Sequence, residues 1–207
     1  MQDIYVGDHG KGFPLILVHG FLGSSLMWEP QINFFKDYFR VITPDLPGFG
    51  KSNKIKPLNT IHSLAILLSA NIKKKKIDKF HLLGHSMGGM IAQEMTKIIG
   101  NKISKLICYS TGPIGEMPKR FESIDQSIKN FQNKGLEFAV KNIAKTWFVK
   151  EENAEYFNLC LKAGKQSSVI AAHESLTAMK NWNGIDKLKN IQNETLILWG
   201  DQDKSYN

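Results

Sequence analysis

The sequence predicts an α/β fold, a mostly parallel β-sheet with helices on both faces, and an inserted helical lid. Short apolar runs bounded by turn residues are typical of strands that are buried on both faces of a parallel sheet. Segments with apolar residues three and four positions apart follow these runs, as crossover helices do. A long stretch without strand signals then interrupts the alternation. With 207 residues, 42% of them hydrophobic, the chain is long enough to bury a core as one domain.

The individual strands and helices follow from local patterns. Five apolar runs are predicted to be strands, namely PLILVHG, RVITPD, FHLLG, KLICYS and ETLILWG. The first of these is followed by apolar residues spaced four, three and four apart, which indicates a helix. These residues are Trp28, Ile32, Phe35 and Phe39. Asn59 or Thr60 can cap the helix after the second run, and a third helix is predicted over residues 88–99.

The alternation stops between Thr111 and Gly184, where the pattern is helical throughout. Roughly 70 residues are more than one crossover needs, and open α/β sheets bind ligands at the carboxyl ends of their strands. We therefore expect residues 1–111 to form the first part of the core and residues 112–183 to form a lid over the strand ends. Residues 184–207 would continue the core. Ordinary crossover helices are the alternative for the middle segment.

The charge pattern argues against a nucleic-acid partner. The net charge is +8, but Arg40 and Arg120 are the only arginines among 27 basic residues, and the lysines are scattered along the chain. The arginine forks that read guanine or grip phosphate are thus nearly absent. We interpret the charge as a solvated, lysine-rich surface and expect a small-molecule substrate instead.

Neither a membrane anchor nor a metal site is indicated. The apolar runs are far shorter than the ~20 residues that span a bilayer, and the first residues, MQDIYVGDHG, do not resemble a secretory signal. Cys108 and Cys160 lie far apart and form no metal-binding pattern. We expect reduced thiols, a cytoplasmic protein and no cofactor, while the oligomeric state stays open.

A serine lies between glycines where the strand FHLLG meets a helix. Gly84-His85-Ser86-Met87-Gly88 fits the pattern G-x-S-x-G, in which a sharp turn holds the serine in a strained backbone conformation. Side chains two positions before and after the serine would collide, which explains both glycines. The turn would present the Ser86 hydroxyl at a helix N-terminus, where free amides favour negative charge. Ser86 is therefore the candidate nucleophile.

A second loop supplies the other half of an acyl-transfer site. His19-Gly20-Phe21-Leu22-Gly23 ends an earlier strand. We expect the backbone amides of Phe21 and Met87 to form an oxyanion hole for the carbonyl oxygen under attack. Taken alone, the segment could equally be a flexible loop; its relation to Ser86 favours the catalytic interpretation.

Four motifs in this order resemble the α/β-hydrolase fold family: LILVHGFLGSS, VITPDLPGFGKS, LLGHSMGG and TLILWGDQD. Within it, the pattern is similar to the lidded branch of serine esterases, enol-lactonases and carbon–carbon bond hydrolases. The resemblance implies Asp203 as the catalytic acid, in preference to Asp201. It also implies that Asp45 shapes its loop without doing chemistry. Candidates for the substrate pocket are Leu22, Trp28 and Trp147.

The base that should take the serine's proton is missing. The family order is serine, acid, histidine, and no histidine follows Asp203. His85 is expected to point away from the nucleophile, and His173 in the lid is a remote alternative. We expect the sequence to be a fragment whose base lies beyond Asn207; a naturally shortened, weakly active relative is the other explanation.

The sequence is compatible with two functions. The first is a serine hydrolase that cleaves a small ester, lactone or activated carbonyl compound through an acyl-enzyme on Ser86. The second is a non-catalytic binding protein that retains the fold and its pocket. The intact catalytic motifs favour the first.

Overall fold

The computed structural model describes residues 2–206, and its centre is a six-stranded sheet with the strand order β1-β3-β2-β4-β5-β6. The strands are β1 (Val6–His9), β2 (Pro14–Val18), β3 (Arg40–Pro44), β4 (Phe80–His85), β5 (Ile103–Tyr109) and β6 (Glu194–Leu198). All neighbours are parallel except β1, which pairs antiparallel with β3. The predicted α/β class is confirmed. The short strand β1 was not predicted, because VGDH lacks an apolar run.

Six α-helices accompany the strands. They are α1 (Glu29–Phe35), α2 (Ile61–Lys74), α3 (Met87–Ile99), α4 (Ile124–Thr146), α5 (Phe157–Lys165) and α6 (Val169–Lys180). Of the two predicted caps for α2, Thr60 fills the role: its hydroxyl accepts a hydrogen bond of 3.0 Å from the backbone N–H of Ser63. This bond satisfies one of the free amides at the helix start.

Strand β2 shows why both faces of the sheet are covered. Its residues alternate in direction, so Leu15 and Leu17 pack with Trp28 on the face covered by α1. Ile16 and Val18 point the other way, into the larger cluster that contains the apolar residues of α2 and α3. The four residues of β2 after Pro14 are at most 7% exposed. A continuously apolar run is therefore required here, as the sequence indicates.

We call residues 112–183, between β5 and β6, the insertion. It contains α4, α5 and α6, and α4 is kinked at Gly135, whose φ is +78°. The two ends of the insertion lie side by side: Ile114 forms a β-bridge with Asn183, and the N–H of Gly184 donates to the carbonyl of Pro113 at 2.7 Å. The two ends of the insertion are thus bonded to each other, and residues 185–193 then lead to the start of β6.

Strand β6 differs from the other strands in its burial. It lies at one edge of the sheet, paired with β5 from Lys105↔Glu194 to Tyr109↔Leu198. All five of its residues are exposed, and Ile197 keeps 65% of its accessible surface. Trp199, the next residue, is also more than half exposed. The loop that carries Asp203 therefore follows a strand that pairs on one side only.

Candidate active site

Ser86 lies at the junction of β4 and α3 in a left-handed backbone conformation, with φ of 53° and ψ of −119°. Non-glycine residues rarely adopt this region, and such strain is concentrated at functional sites. A Cβ at Gly84 would lie 2.2 Å from the carbonyl oxygen of Gly88, and one at Gly88 would lie 2.3 Å from that of Val18. The glycine spacing therefore has the steric cause inferred from the sequence.

The loop after β2 approaches this turn closely. A Cβ at Gly20 would lie 3.0 Å from the Cβ of Ser86. Buried His19 holds the loop: its Nδ1–H donates to the carbonyl of Gly20 at 2.9 Å, and its Nε2 accepts from the N–H of Leu46 at 3.0 Å. Burial lowers the pKa of His19, which suits this neutral tautomer. His19 thus has a structural role.

The side chains of Phe21 and Met87 belong to the core, at 6% and 0% exposure. Met87 is the first residue of α3, whose first amides have no acceptor within the helix. Among residues 2–206, no carbonyl accepts a hydrogen bond from the N–H of Phe21 or of Met87. Both amides are therefore without a backbone acceptor, but neither residue is among those that line the cavity of Ser86. The oxyanion role of the two amides stays a prediction.

Asp45, at the end of β3, is fully buried. Its carboxylate accepts hydrogen bonds from the backbone N–H groups of Ser25 at 2.5 Å and Lys51 at 2.8 Å. It joins the loops after β2 and β3, which is the loop-shaping role that the family resemblance implies.

Asp203 lies on the turn after β6 and lines the same cavity as Ser86. Its Oδ1 accepts hydrogen bonds from the N–H groups of Ser205 at 2.7 Å and Tyr206 at 2.9 Å. Burial raises the pKa of the Tyr109 phenol, and the negative charge of Asp203 raises it further. Asp201 lines the cavity as well. The geometry leaves the predicted preference for Asp203 as a prediction.

The cavity above Ser86 has a volume of about 540 Å³, within the usual range for small-molecule sites. Trp28 and Trp147, two of the predicted pocket residues, line it. Leu22 does not: it is 1% exposed and packs in the core, with its carbonyl near Gly164 of α5. The prediction of Leu22 as a pocket residue is corrected, because the loop turns this side chain inward.

His85 lines the cavity too, and the expectation that its side chain points away from Ser86 stays a prediction. Its ring lies among those of Trp28, Tyr109 and Trp147, with centroids 6.3, 5.1 and 5.9 Å away. Burial lowers the pKa of His85 to about 4, so the imidazole is neutral at pH 7. The remote alternative His173 lies elsewhere, beside a second cavity between α4 and α6.

A cluster of metal ligands and a membrane-spanning helix are both absent from the described part of the chain. In residues 2–206, no group of three His, Cys, Asp or Glu side chains is placed to hold a metal ion. Within the same range, none of the helices has the length and apolar character needed to cross a membrane.

Comparisons with known proteins agree with the fold described above. The model of the α/β hydrolase fold family matches residues 14–205. A pimeloyl-(acyl-carrier protein) methyl ester esterase of Legionella pneumophila (strain Lens) is 28% identical over 200 residues, which cover 96% of this chain and 79% of that relative. An esterase from Exiguobacterium antarcticum has a TM-score of 0.90 and 26% identity, covering 98% of this chain and 79% of that one. The enol-lactonase of Burkholderia xenovorans LB400 shares the fold, with a TM-score of 0.84 at 17% identity over 96% of this chain and 78% of that one.

The parallel sheet, the serine turn and these matches define the class of protein: it is an enzyme, a hydrolase built on an α/β fold. The chain belongs to the α/β hydrolase family, as its motifs indicate.

Proposed function

We propose that the protein is a serine hydrolase that cleaves a small ester, lactone or activated carbonyl compound through an acyl-enzyme on Ser86. The observation that carries the proposal is the backbone of Ser86, held at φ of 53° at the start of α3 and open to a cavity of about 540 Å³. Strain of this kind persists only where surrounding structure imposes it, and a nucleophile turn is its best-known use.

In this proposal Ser86 Oγ attacks the substrate carbonyl carbon and loses its proton to a base. The amides of Phe21 and Met87 stabilise the oxyanion of the tetrahedral intermediate. The carbon–oxygen bond to the leaving group then breaks, and water later hydrolyses the ester on Ser86. Asp203 would orient that base. Among the described histidines, His85 lines the cavity of Ser86, and burial keeps its imidazole neutral at pH 7.

The substrate class follows from the cavity and from relatives. The aromatic walls formed by Trp28, Tyr109 and Trp147 suit an apolar or planar group beside the reacting carbonyl. The Legionella relative is named a methyl ester esterase and the Exiguobacterium protein an esterase, which supports a carboxylic ester as substrate. We propose that the insertion acts as a lid, because the segment from Thr146 to Val149, at the end of α4 and just after it, lines one side of the cavity.

Reaction with a fluorophosphonate probe tests the nucleophile. We expect the probe to label the chain at Ser86 and not to label Ser86→Ala. Ser104→Ala, at an exposed position on β5, is the matched control and should label normally. Labelling that persists in Ser86→Ala, or a folded chain that never labels, would contradict the proposal and favour a non-catalytic binding protein.

A further inference from the structure

The hydroxyl of Tyr206 lies 3.1 Å from Ser86 Oγ, although the two residues are 120 positions apart in the sequence. No motif in the sequence indicates this contact. Tyr206 is part of the cavity wall and also packs against the main hydrophobic core. The contact therefore brings a second hydroxyl to the atom that is proposed to attack the substrate.

The direction of the hydrogen bond follows from the acidity of the two groups. Burial raises the pKa of Tyr206, while its bond to Ser86 and the guanidinium of Arg120 act in the opposite direction. The phenol keeps its proton at neutral pH. A phenol has an ordinary pKa of about 10, far below that of an alcohol, so it is the better donor of the pair. Tyr206 O–H thus donates to Ser86 Oγ.

The backbone around Tyr206 is fixed by three hydrogen bonds. Asp203 Oδ1 accepts from the N–H groups of Ser205 at 2.7 Å and Tyr206 at 2.9 Å. The carbonyl of Lys204 accepts from the N–H of Phe121, in the insertion, at 2.8 Å. Asp203 thereby holds the turn that points Tyr206 at Ser86, and the insertion supports the same turn from the other side.

We propose that Tyr206 is a further catalytic residue at this site: its hydroxyl donates a hydrogen bond to Ser86 Oγ, orients the nucleophile and stabilises the negative charge that develops on that oxygen. The inference rests on the proposed function of Ser86. Tyr206 keeps its own proton throughout. When a fluorophosphonate reacts, the Oγ–P bond forms, the P–F bond breaks, fluoride leaves, and the serine proton passes to water or hydroxide.

The test compares rates of fluorophosphonate labelling for the unchanged chain and for Tyr206→Phe between pH 6 and pH 10. Hydrogen bonds to a charged oxygen are stronger than those to a neutral one, so we expect Tyr206→Phe to label about 10-fold more slowly at neutral pH. The rise of the labelling rate with pH should also move to higher pH, because the serine oxygen loses a stabilising donor. Tyr38→Phe removes a phenol hydroxyl from a 67% exposed residue outside the cavity. It should leave the labelling rate and its dependence on pH unchanged.

Equal rates and equal pH profiles for Tyr206→Phe and the unchanged chain would overturn the proposal. An unchanged chain that does not label, or label that survives Ser86→Ala, would instead refute the proposed function. Thermal unfolding shows whether Tyr206→Phe remains folded. If it does not, a second pair decides: Tyr206→Gln keeps an N–H donor at this position and should label faster than Tyr206→Leu, which has none. Equal rates for that pair would then overturn the proposal.

Discussion

The turn that carries Ser86 and the turn that carries Asp203 share one cavity, but the chain holds them in different ways. Residues 84–89 lie at the centre of the sheet, where a Cβ at Gly84 or Gly88 would meet backbone atoms at 2.2 or 2.3 Å. Residues 200–206 follow the exposed edge strand β6, and a Cβ at Gly200 would meet nothing within 4 Å. Ser86 is thus held by close backbone packing, whereas Asp203 is held by local hydrogen bonds.

The largest effect should come from filling the space beneath the serine turn. Gly88→Ala places a Cβ 2.3 Å from the carbonyl oxygen of Val18 and 2.6 Å from that of His19. Backbone atoms cannot move aside cheaply, so we expect a loss of about 3 kcal/mol or more in the free energy of unfolding. Chemical denaturation measures it.

Gly200→Ala, in the turn that carries Asp203, is the matched control. With open space around it, the same substitution should change the free energy of unfolding by no more than about 0.5 kcal/mol. Similar losses for the two variants would show that their surroundings constrain the two turns equally, and would contradict the idea that close packing is special to the turn of Ser86.

Burial of the strands leads to a second prediction. Leu106 on β5 is fully buried, while Leu196 on the neighbouring β6 is 56% exposed. Leu106→Ala should cost about 2–5 kcal/mol in stability, because it leaves a cavity in the core. Leu196→Ala should cost less than about 1 kcal/mol. A denaturant titration of both variants checks the difference, and a cost for Leu196→Ala as large as that for Leu106→Ala would contradict it.

The helix that starts at the serine turn has its own anchor. Glu94 on α3 is 2% exposed and binds Lys187 Nζ at 2.8 Å, Trp182 Nε1 at 3.1 Å and His62 Nδ1 at 3.3 Å. Burial alone would raise its pKa, but hydrogen bonds from Lys187, Trp182 and His62 outweigh burial and lower it to about 2. The carboxylate therefore ties α3 to the end of the insertion.

This anchor should make stability depend on pH. The folded-state pKa of Glu94 is below its ordinary value of 4.5, so its contribution is complete above pH 4.5 and is lost as the pH falls toward 2. We expect Glu94→Gln to cost on the order of 2–3 kcal/mol at pH 7. The cost should shrink as the pH is lowered through that range. Denaturation at pH 7 and pH 3 measures both values, and a cost that does not change with pH would refute the assignment. Glu137→Gln, at an exposed ion pair with Lys165, is the control and should have little effect at either pH.

The features that the sequence predicts correctly are those set by residues close together in the chain or in adjacent strands. The glycines around Ser86 and the apolar runs of β2, β4 and β5 act through neighbours in the chain or in adjacent strands, so spacing alone reveals them. Strand β1 escaped prediction because four mostly polar residues carry no periodicity. Leu22 was placed wrongly because the direction of a loop side chain depends on tertiary packing. The contact of Tyr206 with Ser86 joins residues 120 positions apart, and no local signal encodes it.

The smallest expected change in stability concerns the edge strand. Ile197 is 65% exposed on β6, and an apolar edge strand is a template for association with another chain. Ile197→Lys should change the free energy of unfolding by no more than about 0.5 kcal/mol, because the side chain already lies in water. It should nevertheless reduce concentration-dependent association, since a charge on an edge strand opposes pairing. Sedimentation velocity over a range of concentrations measures this. Val149→Lys, at a 73% exposed position in the insertion, tests whether any added lysine has the same effect. If both variants reduce association equally, general repulsion explains the result, and the edge of β6 has no special part in it.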